Sequence, residues 1–429
     1  MSLPPYAEYI DSGVEWLGAL PAHWTAPVFK RTVRLLTEKT ERRESPVALE
    51  NVESGTGRFI QTETKFEGEG VAFEAGDILF GKLRPYLAKA WLADRAGEAV
   101  GDFHVLRPMD TTIGRFSQYV ILNDSCISII DGSTFGAKMP RASWDFMGTM
   151  RVPEPPLSEQ IAIAAFLDRE TGKIDALVAE QEKLIALLKE KRQTVISHAV
   201  TKGLNPDAPI KPSGVEWLGD VPAHWEVKQI RHFAEVLRGK FTHRPRNDPA
   251  FYDGPYPFIQ TGDITGVSRT IVDFKQTLNE RGISVSRQFP KGTLVMAIAA
   301  NIGDVAILDF PAYFPDSIVG LLPSTQIDLM FLFYLMLAMK QPMLMTATVS
   351  TQMNLNVDQI VSLNAASPPI AEQRSMVLFL DRELVALDTL TAEAVNAITL
   401  LKERRSALIS AAVTGQIDVR GLVSRAEAA

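Results

Sequence analysis

The chain of 429 residues has one cysteine, Cys126, and six scattered histidines. A single cysteine excludes an internal disulfide framework and a cysteine-ligated zinc site within the chain, and Cys126 reads as an ordinary thiol. Positive charge is also scarce: 44 Lys and Arg stand against 51 Asp and Glu, a net charge of −7. Residues 24–154 hold 17 basic and 18 acidic groups, and residues 225–367 hold 12 of each. Any binding to nucleic acid must therefore rest on local clusters and on partners, not on a global positive field. The first residues, MSLPPYAEYIDSG, lack the basic and then apolar pattern of a signal peptide. The longest apolar stretch, Leu329 to Met339, is too short to span a bilayer and reads as a buried helix. The expectation is a cytoplasmic protein without a membrane partner.

Catalytic signatures are missing too. There is no Asn or Asp before Pro-Pro-aromatic, as transfer of a methyl group to an amine requires; the nearest match is Leu3-Pro4-Pro5-Tyr6, and leucine cannot accept from an amino group. No G-x-G-x-x-G follows a strand, and Gly239-Lys240 runs into Phe241 instead of the Ser or Thr of a phosphate-binding loop. These gaps favour a binding protein over an enzyme and call for no cofactor or metal.

What the chain does have is a repeat. GVEWLGALPAHW at 13–24 returns as GVEWLGDVPAHW at 214–225, ten of twelve positions identical at an offset of 201. PPLSEQ (155–160) returns as PPIAEQ (368–373), FLDRE (166–170) as FLDRE (379–383), and LKEKR (188–192) as LKERR (401–405), all at an offset of 213. Each half thus has a tryptophan motif, a variable block and a helical segment. His23 and His224 recur inside the tryptophan motif, which points to a structural role beside Trp24 and Trp225. The variable blocks share a skeleton: FEAGDILFGKL (73–83) lines up with FPKGTLVMAIA (289–299), Asp102 to Pro108 with Asp316 to Pro323, and GSTFGAKMP (132–140) with residues 350–356. Short β-branched and aromatic runs between Gly, Pro and Asp turns predict mixed α+β blocks.

The helical segments carry heptads. Leu167, Ile174, Gln181, Leu188 and Val195 recur every seven residues, with Ile163, Leu177 and Leu184 interleaved. The second copy has Leu380, Leu387, Ala394, Leu401 and Leu408 with Met376 and Leu390. Ser158 is placed to cap the first helix, and Gly172 marks a candidate kink. Two such seams predict either a mutual coiled coil or two amphipathic helices lying on their own domains.

The duplicated VEWLG-x-x-PAHW, the PP-x-x-EQ junctions, FLDRE and the KEKR and KERR helix ends together resemble the specificity subunit of type I restriction-modification enzymes. The resemblance covers essentially the whole chain. It implies two target recognition domains, each reading one half of a split, asymmetric site in double-stranded DNA. It also implies that the two conserved helices form an antiparallel coiled coil that spaces these domains. The implied partners are two modification subunits that methylate adenine, and motor-nuclease subunits that cleave DNA with ATP. The implied organisation is a tryptophan motif and first target domain at 1–154, a helix at 155–203, a repeated motif and second target domain at 204–367, and a helix and tail at 368–429. Major-groove reading needs polar forks on loops. The candidate readers are Lys82, Arg84, Tyr86, Lys89, Lys138 and Arg141 in the first block, and Arg238, Lys240, His243, Arg244, Arg246, Gln352 and Asn354 in the second. Two other readings stay open: a coiled-coil scaffold that reads no DNA, and a fused restriction enzyme with catalysis on this chain.

The repeated boundaries make the blocks independent modules. Exchanging residues 26–152 for the matching block of a relative is expected to change one half of the methylated site and leave the other intact, as mapped by methylation sequencing. A change in both halves would reject modularity.

Overall fold

The computed structural model describes residues 3–40, 45–62, 70–134, 139–346 and 354–422. It divides into two compact units, Met1–Glu182 with Val395–Ala429, and Lys183–Ala394. Two long helices, Leu157–Lys202 and Ile370–Val413, contribute residues to both units.

The first unit is built on an antiparallel sheet in the order Val33–Leu36, Phe103–Pro108, Ile78–Gly81, Ala90–Leu92. The second unit repeats it as Ala234–Arg238, Ile318–Pro323, Leu294–Ala297, Val305–Leu308, with Thr270–Ile271 added in parallel. The central strands are buried on both faces, which is why they read as unbroken apolar runs. Ile78 and Phe80 enter a core shared with the long helices, while Leu79 enters a second core with Trp91 and Phe103. Leu294 and Met296 divide from Val295 in the same way. The offset of 216 proposed for these strands is therefore also their register. The apolar stretch at 329–339 forms the helix Leu329–Ala338, buried around its whole circumference and capped by the Asp328 side chain on the Met330 and Phe331 amides.

The PP-x-x-EQ junction explains itself as a two-residue joint. The first long helix begins at Leu157, so Ser158 lies inside the first turn and is not the cap; the Glu159 and Gln160 amides both donate to the Pro156 carbonyl. Glu159 accepts from the Trp24 indole (3.0 Å) and the Tyr6 hydroxyl (3.1 Å), and His23 Nε2 lies 2.7 Å from its other oxygen. Burial and this carboxylate push the Tyr6 phenol pKa up. Gln160 turns the other way, accepting from the Ile113 amide and donating to the Thr111 and Pro155 carbonyls. The glutamate thus holds the tryptophan motif and the glutamine holds the variable block. The second unit repeats both halves. Glu372 takes Trp225 (2.9 Å) and His224 (2.7 Å), and Gln373 takes the Asp328 amide and the Pro368 carbonyl. The histidines are structural, as the repeat suggested.

FLDRE supplies the next tie. Asp168 accepts from Tyr119 and Arg115, each at 2.6 Å, and Asp381 accepts from Tyr334 (2.5 Å) and Arg269 (2.6 Å). Burial pushes both tyrosine pKa values up to about 12. Each long helix ends on a left-handed glycine, Gly203 (φ +75°) and Gly415 (φ +71°), where the helix must turn back. A Cβ on Gly203 would meet Trp225 at 3.1 Å, and one on Gly415 would meet Pro21 at 2.4 Å. Gly172 lies within an unbroken helix.

Within each unit the two helices run antiparallel. In the first, Asp175 pairs with Arg405 at 3.1 Å; in the second, Arg192 pairs with Asp388 at 3.3 Å. These pairs are the same pair, related by the offset of 213. The seam phase differs from the expectation at three of its five interleaved positions, Ile163 and Met376 being buried. Leu177, Leu184 and Leu390 are exposed. The more enclosed positions lie one residue later, at Val178 and Ile185 on one helix and Thr391 and Ile398 on the other. Alternating steps of four and three from Ile174 reach Arg192 as well, so the arginine stem lies in the seam while its head meets the aspartate.

The joint predicts unequal costs. Glu159→Ala leaves the Trp24 and Tyr6 donors unpaired in the core and is expected to cost about 2–4 kcal/mol. Glu372→Ala, at a more open carboxylate, should cost less. Thermal and urea unfolding of the two variants check this; equal or reversed losses would contradict it.

Candidate nucleic-acid interface

Each variable block gathers its basic loops around one aspartate at the start of the same sheet strand. In the first block this is Asp102, just before Phe103–Pro108. Arg141 Nη2 lies 3.0 Å from one carboxylate oxygen and Lys82 Nζ lies 3.8 Å from the other. The loop after Ile78–Gly81 is pinned to residues 139–142 by the Leu83–Arg141 bridge, the Arg84 amide on the Pro140 carbonyl and the Ala142 amide on the Lys82 carbonyl. Arg84 takes a left-handed backbone (φ +51°) and points an exposed side chain from this loop, and Tyr86 is exposed beside it. Left-handed conformations of non-glycine residues are uncommon and concentrate at functional loops. His104, whose pKa burial lowers, backs the loop through the Ala142 carbonyl.

In the second block the organiser is Asp316. Arg238 Nε donates to its carbonyl at 2.7 Å, Arg244 Nη2 lies 3.5 Å from one carboxylate oxygen, and Arg246 pairs with the other. Arg244 is also held by the Phe241 and His243 carbonyls at 2.7 and 2.8 Å. Lys240 is exposed next to them. Two guanidinium groups on the Asp316 carboxylate and a third on its main-chain carbonyl leave a local excess of positive charge in a block whose net charge is zero. The left-handed residue recurs at Ala300 (φ +62°), 216 positions after Arg84, and the loop bridge recurs as Ala299–Asn354. The two blocks therefore present the same loops with different side chains.

Not every sequence candidate joins these clusters. Lys89 turns inward and donates to the Leu49 carbonyl at 2.6 Å. His243 stacks on Phe251 at 3.9 Å and lies 3.0 Å from Asp248. Asn354 is exposed at the bridge with Ala299. Lys138 and Gln352 lie outside the described residues. Sequence reasoning missed the two organising aspartates and Arg287, whose Nη1 donates to the Arg238 carbonyl at 3.3 Å. The only signal for the aspartates was their shared place in the alignment of Asp102 to Pro108 with Asp316 to Pro323.

Two basic clusters, each beside the same strand of a duplicated α+β frame with paired helices, point to a class of tandem recognition protein. The family described as the type I restriction modification DNA specificity domain matches residues 222–399. The chain is 21% identical over 307 residues to the type I restriction enzyme MjaVIII specificity subunit of Methanocaldococcus jannaschii, covering 69% of this chain and 68% of that one. It is 21% identical over 303 residues to the EcoBI specificity subunit of Escherichia coli, covering 68% and 63%. A chain from a structure of type I R-M complex assembly and conformational transition shares the fold, with a TM-score of 0.73 at 16% identity over 92% of this chain and 98% of that one. The second half of the chain thus matches the specificity-domain family, and the relatives that span both halves are type I restriction enzyme specificity subunits.

Asp316 predicts a separable defect. Asp316→Asn removes the charge that orients Arg244 and Arg246 and leaves the first block untouched. Discrimination at the second half-site is expected to fall about ten- to a hundredfold, the worth of a bidentate base contact, while the first half-site stays strict. Methylation of DNA carrying single-base changes in each half measures this; unchanged discrimination would mean that Asp316 does not position readers.

Proposed function

We propose that each variable block reads one half of a bipartite, asymmetric site in double-stranded DNA, through the clusters at Asp102 and Asp316. The observation that carries this reading is that each block gathers basic side chains on an aspartate just before the same sheet strand: Lys82 and Arg141 on Asp102, from the loop after Ile78–Gly81 and the segment bridged to it, and Arg238, Arg244 and Arg246 on Asp316, from the end of Ala234–Arg238 and the loop after it. A scaffold that reads no DNA has no use for a common frame with diverged polar tips. Arginine forks suit guanine edges and phosphates alike. Contacts to phosphate set the register, and contacts to base edges set the sequence.

The subunit is non-catalytic. Methyl transfer to adenine and ATP-driven cleavage belong to the modification and motor-nuclease subunits that assemble with it, and the whole acts in the cytoplasm. The long helices offer the docking surface. Leu177 and Leu390 are exposed and related by the offset of 213, and so are Leu187 and Leu400. The most apolar window of the second long helix has a mean hydropathy of 1.5 with 11% of it buried. Each unit thus exposes one leucine of such a pair from each helix, which fits two modification subunits binding in equivalent ways.

If the helices set the spacer, their length acts as a ruler. Inserting four helical residues between Glu180 and Lys183 adds about 6 Å, between one and two base pairs along DNA. It is also the stutter that coiled coils absorb by local unwinding. The expected methylome shows unchanged half-sites separated by about one or two more non-specific base pairs. An active variant with the original spacing would reject the ruler.

A further inference from the structure

The two tryptophan motifs are preceded by segments that align without a gap. Residues 3–7 read Leu-Pro-Pro-Tyr-Ala, and residues 204–208, at the same offset of 201, read Leu-Asn-Pro-Asp-Ala. In the first unit Tyr6 is 4% exposed. Its ring packs edge-on against Trp24 with centroids 5.6 Å apart, and its hydroxyl donates to Glu159 Oε2. The equivalent residue in the second unit, Asp207, is exposed. The groups that would receive a tyrosine are nevertheless retained there: Glu372 Oε2 still accepts from the Trp225 indole, and His224 still lies on Oε1.

A cavity of about 210 Å³ stands over them, lined by Gly203, Ala208, Pro222, His224, Glu372 and Met376. The carboxylates record the difference: the Glu159 side chain is 9% exposed and that of Glu372 is 42% exposed. The cause is topological. In the first unit two separate segments cover the joint, residues 3–8 before the motif and residues 416–422 after the second long helix. There the Arg420 guanidinium sits 4.9 Å above the Tyr6 ring and 3.6 Å from Glu159. In the second unit one continuous segment must leave the first long helix at Gly203 and reach the motif at Gly214, so it cannot fill both places.

We propose that this cavity is a binding site for a phenol, the side chain of a tyrosine presented by a partner protein, with its hydroxyl donating to Glu372 and its ring in the place that Tyr6 fills in the first unit. The chemistry selects this occupant. A carboxylate has about four acceptor sites, so Glu372 can take a further donor. Ala208, Pro222 and Met376 give the ring apolar walls. Lys202 lines the same cavity with its ammonium held by the Leu218 and Asp220 carbonyls, which disfavours a cationic guest, while Glu372 disfavours an anionic one. This site is separate from the proposed DNA-reading clusters at Asp102 and Asp316, to which neither Glu372 nor His224 belongs.

The test uses the full chain, with p-cresol as the probe and toluene as its hydroxyl-free analogue. p-Cresol is expected to raise the melting temperature of the wild type saturably, and toluene to bind about tenfold more weakly, the worth of one hydrogen bond to a charged acceptor. Asp207→Tyr should fill the cavity from within. It is expected to raise the melting temperature by about 2–4 °C and to abolish the p-cresol response, whereas Asp207→Ala keeps that response. N-acetyltyrosinamide should compete with p-cresol on the wild type, so the test holds even if Asp207→Tyr does not fold. No saturable p-cresol shift, equal binding of toluene, failure of competition, or an undiminished response in folded Asp207→Tyr would each overturn the assignment.

Discussion

Everything in each unit hangs on a glutamate and a glutamine in the first turn of a long helix. Glu159 and Glu372 accept an indole N–H and meet an imidazole from the tryptophan motif. Gln160 and Gln373 tie the next segment of the variable block to the same turn. A carboxylate there also meets the positive end of the helix dipole. Because the two side chains point to different modules, a single turn of helix fixes both modules relative to the helix axis. Buried polar groups are costly unless paired, so this joint has one geometry, and the variable block can change its surface without moving its base.

The helices add a second constraint. Apolar a and d positions alone would tolerate shifts by a heptad. The pairs Asp175–Arg405 and Arg192–Asp388 tie one register in each unit, since any slip strands a charge beside apolar side chains. Arg405 is the more enclosed of the two arginines, at 12% exposed, and it also donates to the Gly55 carbonyl. The repeat of this pair shows that duplication preserved a two-sided lock, each half supplying one aspartate and one arginine.

On that shared base the surface side chains diverged. The sheet keeps its register between the units, with Ile78 and Phe80 matching Leu294 and Met296. The loops above it keep their backbone, as the left-handed Arg84 and Ala300 show. What changed is the side chain set around Asp102 and Asp316: one arginine and one lysine in the first unit, three arginines in the second. A carboxylate that pairs with arginines limits their side-chain freedom, which in the proposed reading lowers the ordering cost of recognition.

The sequence by itself determined the duplication, the α+β class, the family resemblance and the heptad period, because each is a pattern spread over many residues and survives substitution at any one. It also marked His23 and His224 as structural, since they recur only within a repeated motif. Tertiary structure alone decided the seam phase. Leucines stand at 177 and 184 next to Val178 and Ile185, so both phases are apolar, and only the partner helix selects between them. It alone brought Asp102 and Asp316 to their basic loops, because single acidic residues carry no periodic signal and their partners lie 39 and 70 residues away along the chain. The mismatch of Tyr6 with Asp207 is written in the sequence, yet its meaning is not. Whether a missing ring leaves a cavity depends on whether other chain segments can close over it, and that is a property of how the backbone is threaded.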